Sequence, residues 1–398
     1  MKYREAYSPD LIDKLSLGKR ILDPFSGCGS ILIGAAIRDR KSLGIDLNPV
    51  AAFSTKVKLS PLNSRQLEHT SRFASVLLET CQTTPRSPLP ELSIAHKVFE
   101  PRILDTLLRL RTAIEDIGNE DESIRDFLLL GWLSIFEEVG SYFKEGNGIK
   151  YRNKKRSIGK YEDRLEGEWQ RARFGSNQRQ FVLTAFKRKI DLMLSDTVLW
   201  RSGSWRAQRV LQDNAFNLDR LCKNHAFDSI IFSPPYANRF DYFEAFKVEL
   251  WFGSFVKSYL EMAKLRKASL RSHLNADFKR PTSTVEPVEE LVDLMDRDAS
   301  SWRMGVPDLM RGYFSDLRTI LMSCRKKLNG GKCYVVVGNS AFAGVVFPTD
   351  LLTACVGASV GFRRSQIIEV RHLTVAPQQR NRLRGFEQFM RESIVVLE

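Results

Sequence analysis

Short apolar runs, each closed by turn residues or opening into a helix-spaced pattern, recur along the chain. Residues 20–22 run into DPFSGCGS and then the helical stretch ILIGAAIRDR, and residues 42–45 end at Asp46 ahead of LNPVAAF. Residues 209–211 end at Asp213, and residues 227–232 (FDSIIF) end at SPPY. Residues 333–337 end at Gly338-Asn339-Ser340, with Thr349 placed to cap the helix after them. Residues 366–370 and 393–397 are β-branched runs. Buried strands alternating with helices predict an α/β fold around a mostly parallel seven-stranded sheet, covered on both faces. The last two runs are joined by a basic stretch without helical spacing and are expected to pair antiparallel.

The strand pattern is interrupted twice. Residues 61–206 are far too many for a structureless loop and must fold. Ile103, Leu107, Leu108, Leu110, Ile114 and Ile117 recur at helical spacing, as do Ile124, Phe127, Leu128, Leu133, Phe136 and Val139. Ser123 with Asp126 reads as a capping box. KYRNKKR, at 150–156, reads as a basic turn followed by a basic helical stretch to about residue 194. The second interruption, 253–308, is polar and charge-rich around RPTSTVEP. The expected organisation is a core of residues 1–60, 207–252 and 309–398, with a helical basic insertion at 61–206 and a second insertion at 253–308.

Composition adds a direction. Apolar residues make up 43% and charged residues 27%, so a packed core is expected rather than disorder. The formal net charge of +14 favours polyanionic partners, because each cation placed on a phosphate releases a condensed counterion. The charge is concentrated: between residues 144 and 209, basic side chains outnumber acidic ones by ten, interleaved with Tyr151, Trp169, Phe174 and Trp205. Six scattered cysteines form no C-x-x-C pair and fit a reducing compartment. The five histidines lack metal-ligand spacing, so no metal is expected. No apolar run suits a signal peptide or a membrane span, which points to a cytoplasmic protein without a membrane partner.

Two segments carry chemistry. Asp23-Pro24-Phe25-Ser26-Gly27-Cys28-Gly29-Ser30 joins a strand to a helix, where glycines permit positive φ and close backbone approach to a ligand. The next strand ends in Asp46 and is followed by Leu47; an acid there can accept from both hydroxyls of a ribose. A tight strand-to-helix turn and a helix cap are the bland readings, yet the pair favours a nucleoside-bearing cofactor. Ser233-Pro234-Pro235-Tyr236 follows a buried strand; its prolines stiffen the backbone and its tyrosine offers a stacking surface at the sheet's carboxyl edge.

DPFSGCGS resembles the cofactor motif of amino-methylating DNA methyltransferases, and SPPY resembles their catalytic motif. The resemblance covers all seven strands. It implies a Rossmann-like class I S-adenosylmethionine-dependent methyltransferase fold. It also implies that S-adenosylmethionine is held by Tyr7, Pro9, Asp23, Pro24, Phe25, Ser26, Gly27, Gly29, Asp46, Leu47, Asp213 and Asn214. Cys28 replaces the usual small residue between the glycines. The motif order is similar to the α arrangement, but with the long insertion ahead of the Asp213 strand. With few residues ahead of Tyr7, no separate N-terminal domain is expected.

By the same resemblance, a DNA base flips into the pocket. There Ser233 and the Pro234 carbonyl would accept from its amino group while Tyr236 stacks on the ring. The serine that opens the motif favours cytosine N4 over adenine N6, and the absence of a P-C dipeptide disfavours carbon-5 methylation. Asn238 and Arg239 are expected at the pocket mouth, and Lys154, Lys155 and Arg156 on the DNA backbone. Phe243, Phe246, Leu250 and Trp251 read as core. The family further implies a nucleoid-associated, prokaryotic-type enzyme, and leaves open whether a cognate restriction endonuclease accompanies it. RNA base amino-methylation is the second enzymatic reading. A catalytically silent nucleic-acid-binding protein on the same scaffold is the third.

Overall fold

The computed structural model describes residues 8–145, 148–152, 154–157, 160–163, 173–374 and 381–398. Its strands, in chain order, begin with β1 (Arg20–Asp23) and β2 (Lys41–Asp46). Four short strands follow: β3 (Tyr142–Glu145), β4 (Gly148–Tyr151), β5 (Lys154–Ser157) and β6 (Lys160–Asp163). Then come β7 (Gln208–Gln212), β8 (Phe227–Phe232), β9 (Leu328–Gly338), β10 (Ser340–Phe342), β11 (Val345–Phe347), β12 (Ser365–His372) and β13 (Arg391–Leu397). Seven of these form one sheet in the order β12-β13-β9-β8-β1-β2-β7. From β7 to β9 every pairing is parallel, whereas β13 is antiparallel to both β9 and β12. Six strands therefore run one way and β13 runs against them. This mixed α/β architecture is consistent with the class I methyltransferase fold.

Side chains alternate across a strand, and here both faces are apolar. Leu22, Ile230, Phe232, Val335, Val337, Val395 and Leu397 pack under the helix Val306–Lys327. Ile21, Ile231, Tyr334, Val336, Ile394 and Val396 pack on the other face with Ile31, Leu32 and Ala35 of the helix Ser30–Ile37. Ile230, Ile231 and Phe232 are fully buried. Each such side chain removed from water is worth roughly 1.5–3 kcal/mol. The β8 run thus pins the carboxyl edge of the sheet.

Both helices read from periodicity in the first insertion are present, as Pro101–Gly118 and Glu122–Ser134. They share an apolar cluster with Val50 and Val57 of the helix Pro49–Lys58, and with Phe243, Phe246, Leu250 and Trp251. The insertion is therefore packed onto the sheet domain, and those four residues are core, as expected.

Three local expectations are corrected. Asp121, not Ser123, caps the second of these helices; its carboxylate accepts from the Ser123 and Ile124 N–H groups at 2.8 and 3.2 Å. Thr349 is the first residue of its helix and makes no side-chain cap; its hydroxyl lies 3.4 Å from the Phe347 carbonyl. The described residues of the KYRNKKR run enter two strands, β4 and β5, halves of two antiparallel hairpins, β3–β4 and β5–β6. Isolated hairpin strands this short and charged show no apolar alternation to read.

Candidate functional site

Because β13 is reversed, one edge of the sheet gathers the carboxyl ends of six strands and the amino end of the seventh. A cavity of about 350 Å³ opens there. Gly27, Asp46, Asn214, Ser233, Tyr236 and Glu392 all line it. The glycine turn and the proline corner therefore face one space, although some two hundred residues separate them in the chain.

The turn after β1 is built by backbone geometry. Gly27 and Gly29 sit at φ 51° and 82°. A Cβ on Gly29 would lie 2.6 Å from the Thr55 methyl, so only glycine fits. Thr55 donates its hydroxyl to the Gly27 carbonyl at 3.0 Å. The Asp46 carboxylate accepts from the Gly27 N–H at 2.7 Å and the Asn48 N–H at 2.8 Å. Burial lifts this carboxyl to about 6, against the lowering effect of those two N–H groups. Ser26 also lines the cavity; its hydroxyl is buried beside Gly44 without a hydrogen-bond partner among the described residues.

Opposite the turn, Ser233, Pro235 and Tyr236 line the cavity, while Pro234 is buried behind it. Phe25 stacks on Phe232 with ring centroids 5.6 Å apart, tying the two segments together. Tyr236 donates its hydroxyl to Glu392 at 2.6 Å. Burial and the adjacent Glu392 carboxylate push the phenol well above its ordinary value, so it stays protonated.

The other residues named from sequence divide between the cavity and its surroundings. Pro24, Phe25 and Leu47 line the cavity. Asp23 is buried behind the turn, where its carboxylate accepts from the Phe25 N–H at 3.1 Å. Pro9 packs against Gly34 of the helix Ser30–Ile37, and Tyr7 lies outside the described residues. Asn214 reaches the cavity, whereas Asp213 turns to Arg220 and Asn217, each at 2.7 Å. Asn238 is exposed at the mouth. Arg239 adopts a left-handed φ of 70°, contacts the Met304 sulfur at 3.5 Å, and pairs with no carboxylate among the described residues. Lys154, Lys155 and Arg156 lie in β5, in register with Asp163, Glu162 and Tyr161 of β6.

The sequence reading missed the contribution of the second insertion. Ser269, Leu270, Ser272 and His273 cover part of the cavity. This strap is tied at both ends. Asn214 donates its side-chain N–H to the Ala268 carbonyl at 2.6 Å, and the Arg239 N–H donates to the Ser272 carbonyl at 3.0 Å. His273 Nδ1 accepts from the Asn275 N–H at 3.2 Å, which leaves the proton on Nε2, 3.0 Å from the Ser269 hydroxyl. Burial lowers its pKa and keeps it neutral. No apolar period marks this stretch, so His273 read as structural.

The chain is similar to type II methyltransferases. It is 24% identical to the type II methyltransferase M.AvaI of Nostoc sp. strain PCC 7120 and to M.AvaI of Anabaena variabilis, over 92% of this chain and 79% of each relative. It is equally similar to the type II methyltransferase M.BsoBI of Geobacillus stearothermophilus, 24% identical over the same shares. No family model matches the chain. Among the described residues, no helix is long and apolar enough to cross a membrane.

Proposed function

We propose that this protein is a DNA methyltransferase that uses S-adenosylmethionine to modify an exocyclic amino group, that of cytosine N4. One observation carries the reading: the glycine turn with Asp46 and the Ser233 corner line the same cavity. The similarity to type II methyltransferases over most of the chain supports it.

The residues present fit the cofactor. Asp46 offers a carboxylate for a ribose, the unpartnered Ser26 hydroxyl offers a polar contact, and Leu47, Phe216 and Leu270 give apolar walls for a flat ring. S-adenosylmethionine supplies a methyl group already activated by its sulfonium. The work left to the protein is positioning. An aromatic amine is a poor nucleophile because its lone pair spreads into the ring. Acceptance of an N–H group by the Ser233 hydroxyl favours a pyramidal nitrogen with a directed lone pair. Tyr236 presents a ring on which the flipped base can stack. The proton released as the new N–C bond forms passes to solvent through the open mouth beside Asn238.

Mass spectrometry of nucleosides from DNA incubated with the protein and S-adenosylmethionine tests the assignment. The expected product is N4-methylcytosine. N6-methyladenine alone would replace the target base, and methylation of RNA in preference to DNA would replace the substrate.

We assign DNA engagement to the basic insertion. The β3–β4 hairpin is anchored to the helix Lys247–Phe252 by a buried ion pair, Lys144 Nζ to Glu249 Oε1 at 2.6 Å. The adjoining β5 carries Lys154, Lys155 and Arg156. Reversing these three charges to glutamate should weaken DNA binding and reduce the slope of log K against log salt by about 0.9 per lost phosphate contact. A titration with an unchanged slope would remove the hairpin from the interface.

A further inference from the structure

We propose that Glu392 is a positioning residue for Tyr236, holding the ring on which the target base stacks; this rests on the methyltransferase reading above. β13 runs against its neighbours, so its first residues stand at the same edge as the ends of β8 and β9. In the sheet register Glu392 is opposite Gly338 on one side and Arg371 on the other. A side chain near the end of the chain is thereby brought to the catalytic corner.

Tyr236 is held at its ring and at its hydroxyl, which the Ser233 side chain also hydrogen-bonds. The ring lies against Gly338, where an added Cβ would come within 2.8 Å of it, so the bare backbone of β9 serves as its bed. Its hydroxyl is fixed by Glu392 Oε1 at 2.6 Å. Glu392 is itself gripped by the Arg371 guanidinium, with Nε to Oε2 at 2.7 Å and Nη2 to Oε1 at 3.2 Å. A two-point guanidinium–carboxylate contact of this kind fixes direction as well as distance. Desolvation acts to raise the Glu392 carboxyl, but the hydrogen bonds from Arg371 and Tyr236 hold it below its usual range. It therefore remains an anion and an acceptor throughout the working range.

This arrangement explains why a hydroxyl is useful on a residue whose task is stacking. A phenylalanine would offer the same π-face but no anchor, and the ring could swing about its first side-chain torsion. Both Arg371 and Glu392 line the cavity, and the Arg371 side chain is 66% exposed. Leaving that arginine unpaired therefore costs the fold little.

The test is a double-mutant cycle on the full-length protein, with S-adenosylmethionine and genomic DNA from a strain without DNA methylation. Glu392→Ala should lower kcat about tenfold, the effect of losing one charge-assisted hydrogen bond, with KM for the cofactor held within about twofold. Glu392→Gln keeps an oxygen acceptor and should recover most of the rate. Tyr236→Phe should show a loss like that of Glu392→Ala, and combining the two should add nothing further. Wild-type kcat in Glu392→Ala would overturn the proposal, as would losses that multiply in the double variant. If the wild-type protein transfers no methyl group to DNA, the functional reading fails first and takes this role with it. An active wild type with independent losses sinks the role of Glu392 alone.

Discussion

Alanine at position 29 should abolish cofactor binding while leaving the sheet intact. Gly29 sits at φ 82°, and its missing side chain leaves room for Thr55, whose methyl and hydroxyl would lie 2.6 and 2.8 Å from an added Cβ. Two costs then fall on one residue. The left-handed backbone costs a non-glycine residue roughly 1–2 kcal/mol. Overpacking against a helix already seated on the sheet costs about 1–3 kcal/mol more. The cheaper response is for the turn to shift, but the turn is the site. Moving Gly29 moves the Gly27 carbonyl that Thr55 holds, and with it the Gly27 N–H bound to Asp46. Calorimetry with S-adenosylmethionine should register no binding heat, while far-UV circular dichroism keeps its wild-type shape and Tm falls. Adding Thr55→Ser removes the clashing methyl but keeps the hydroxyl, and should restore part of the affinity. Wild-type affinity in Gly29→Ala would mean that the turn does not contact the cofactor.

The same turn shows what a sequence can disclose. Its determinants are local: a buried strand, a pair of glycines, and an acid at the end of the next strand. The run FDSIIF coincides with β8 from its first residue to its last, because the fully buried Ile230, Ile231 and Phe232 close it in an apolar block that stops at the prolines. β9 is longer than the apolar run at 333–337. It begins at Leu328, and its polar start, LNGGK, joins β8 by backbone pairing that no hydrophobic pattern records. The antiparallel β12–β13 pair was legible from its connection, whereas its consequence was not. The Tyr236–Glu392 bond spans 156 residues and depends on which strand is reversed and on a two-sided register. The covering strap at 269–273 was hidden for a related reason. Its residues are held by backbone carbonyls and by the Arg271–Asp316 ion pair at 2.7 Å, contacts that leave no spacing to detect. Motifs at strand ends are written in the chain, but the partners that orient them are written in the topology.

Cofactor affinity should fall on the acid side of about pH 6, and Asp46 should be the cause. Its carboxyl is lifted to about 6 by burial, with two backbone N–H donors opposing the shift. In the free protein, a carboxyl raised above its unfolded value takes up a proton more readily when folded. Its effect on stability is therefore unfavourable, growing as pH rises from the ordinary carboxylate range towards 6. Binding has the opposite slope. Ribose hydroxyls donate, so they need the ionised form. Affinity should be flat above about pH 6 and weaken by up to about tenfold per pH unit below it, as one proton must be released on binding. Asp46→Asn removes the charge and sets an amide N–H against one of the two backbone donors. Hydrogen bonds to a charged group are worth about 1.5–3 kcal/mol each, so the dissociation constant should rise roughly a hundredfold. The variant should also lose the acid-side pH dependence, which separates a role in binding from general damage to the turn. Calorimetric titrations from pH 5 to 8, in buffers of different ionisation heat, would report affinity and proton release together. If Asp46→Asn retained the wild-type slope, the titrating group would lie elsewhere and the ribose assignment would have to be abandoned.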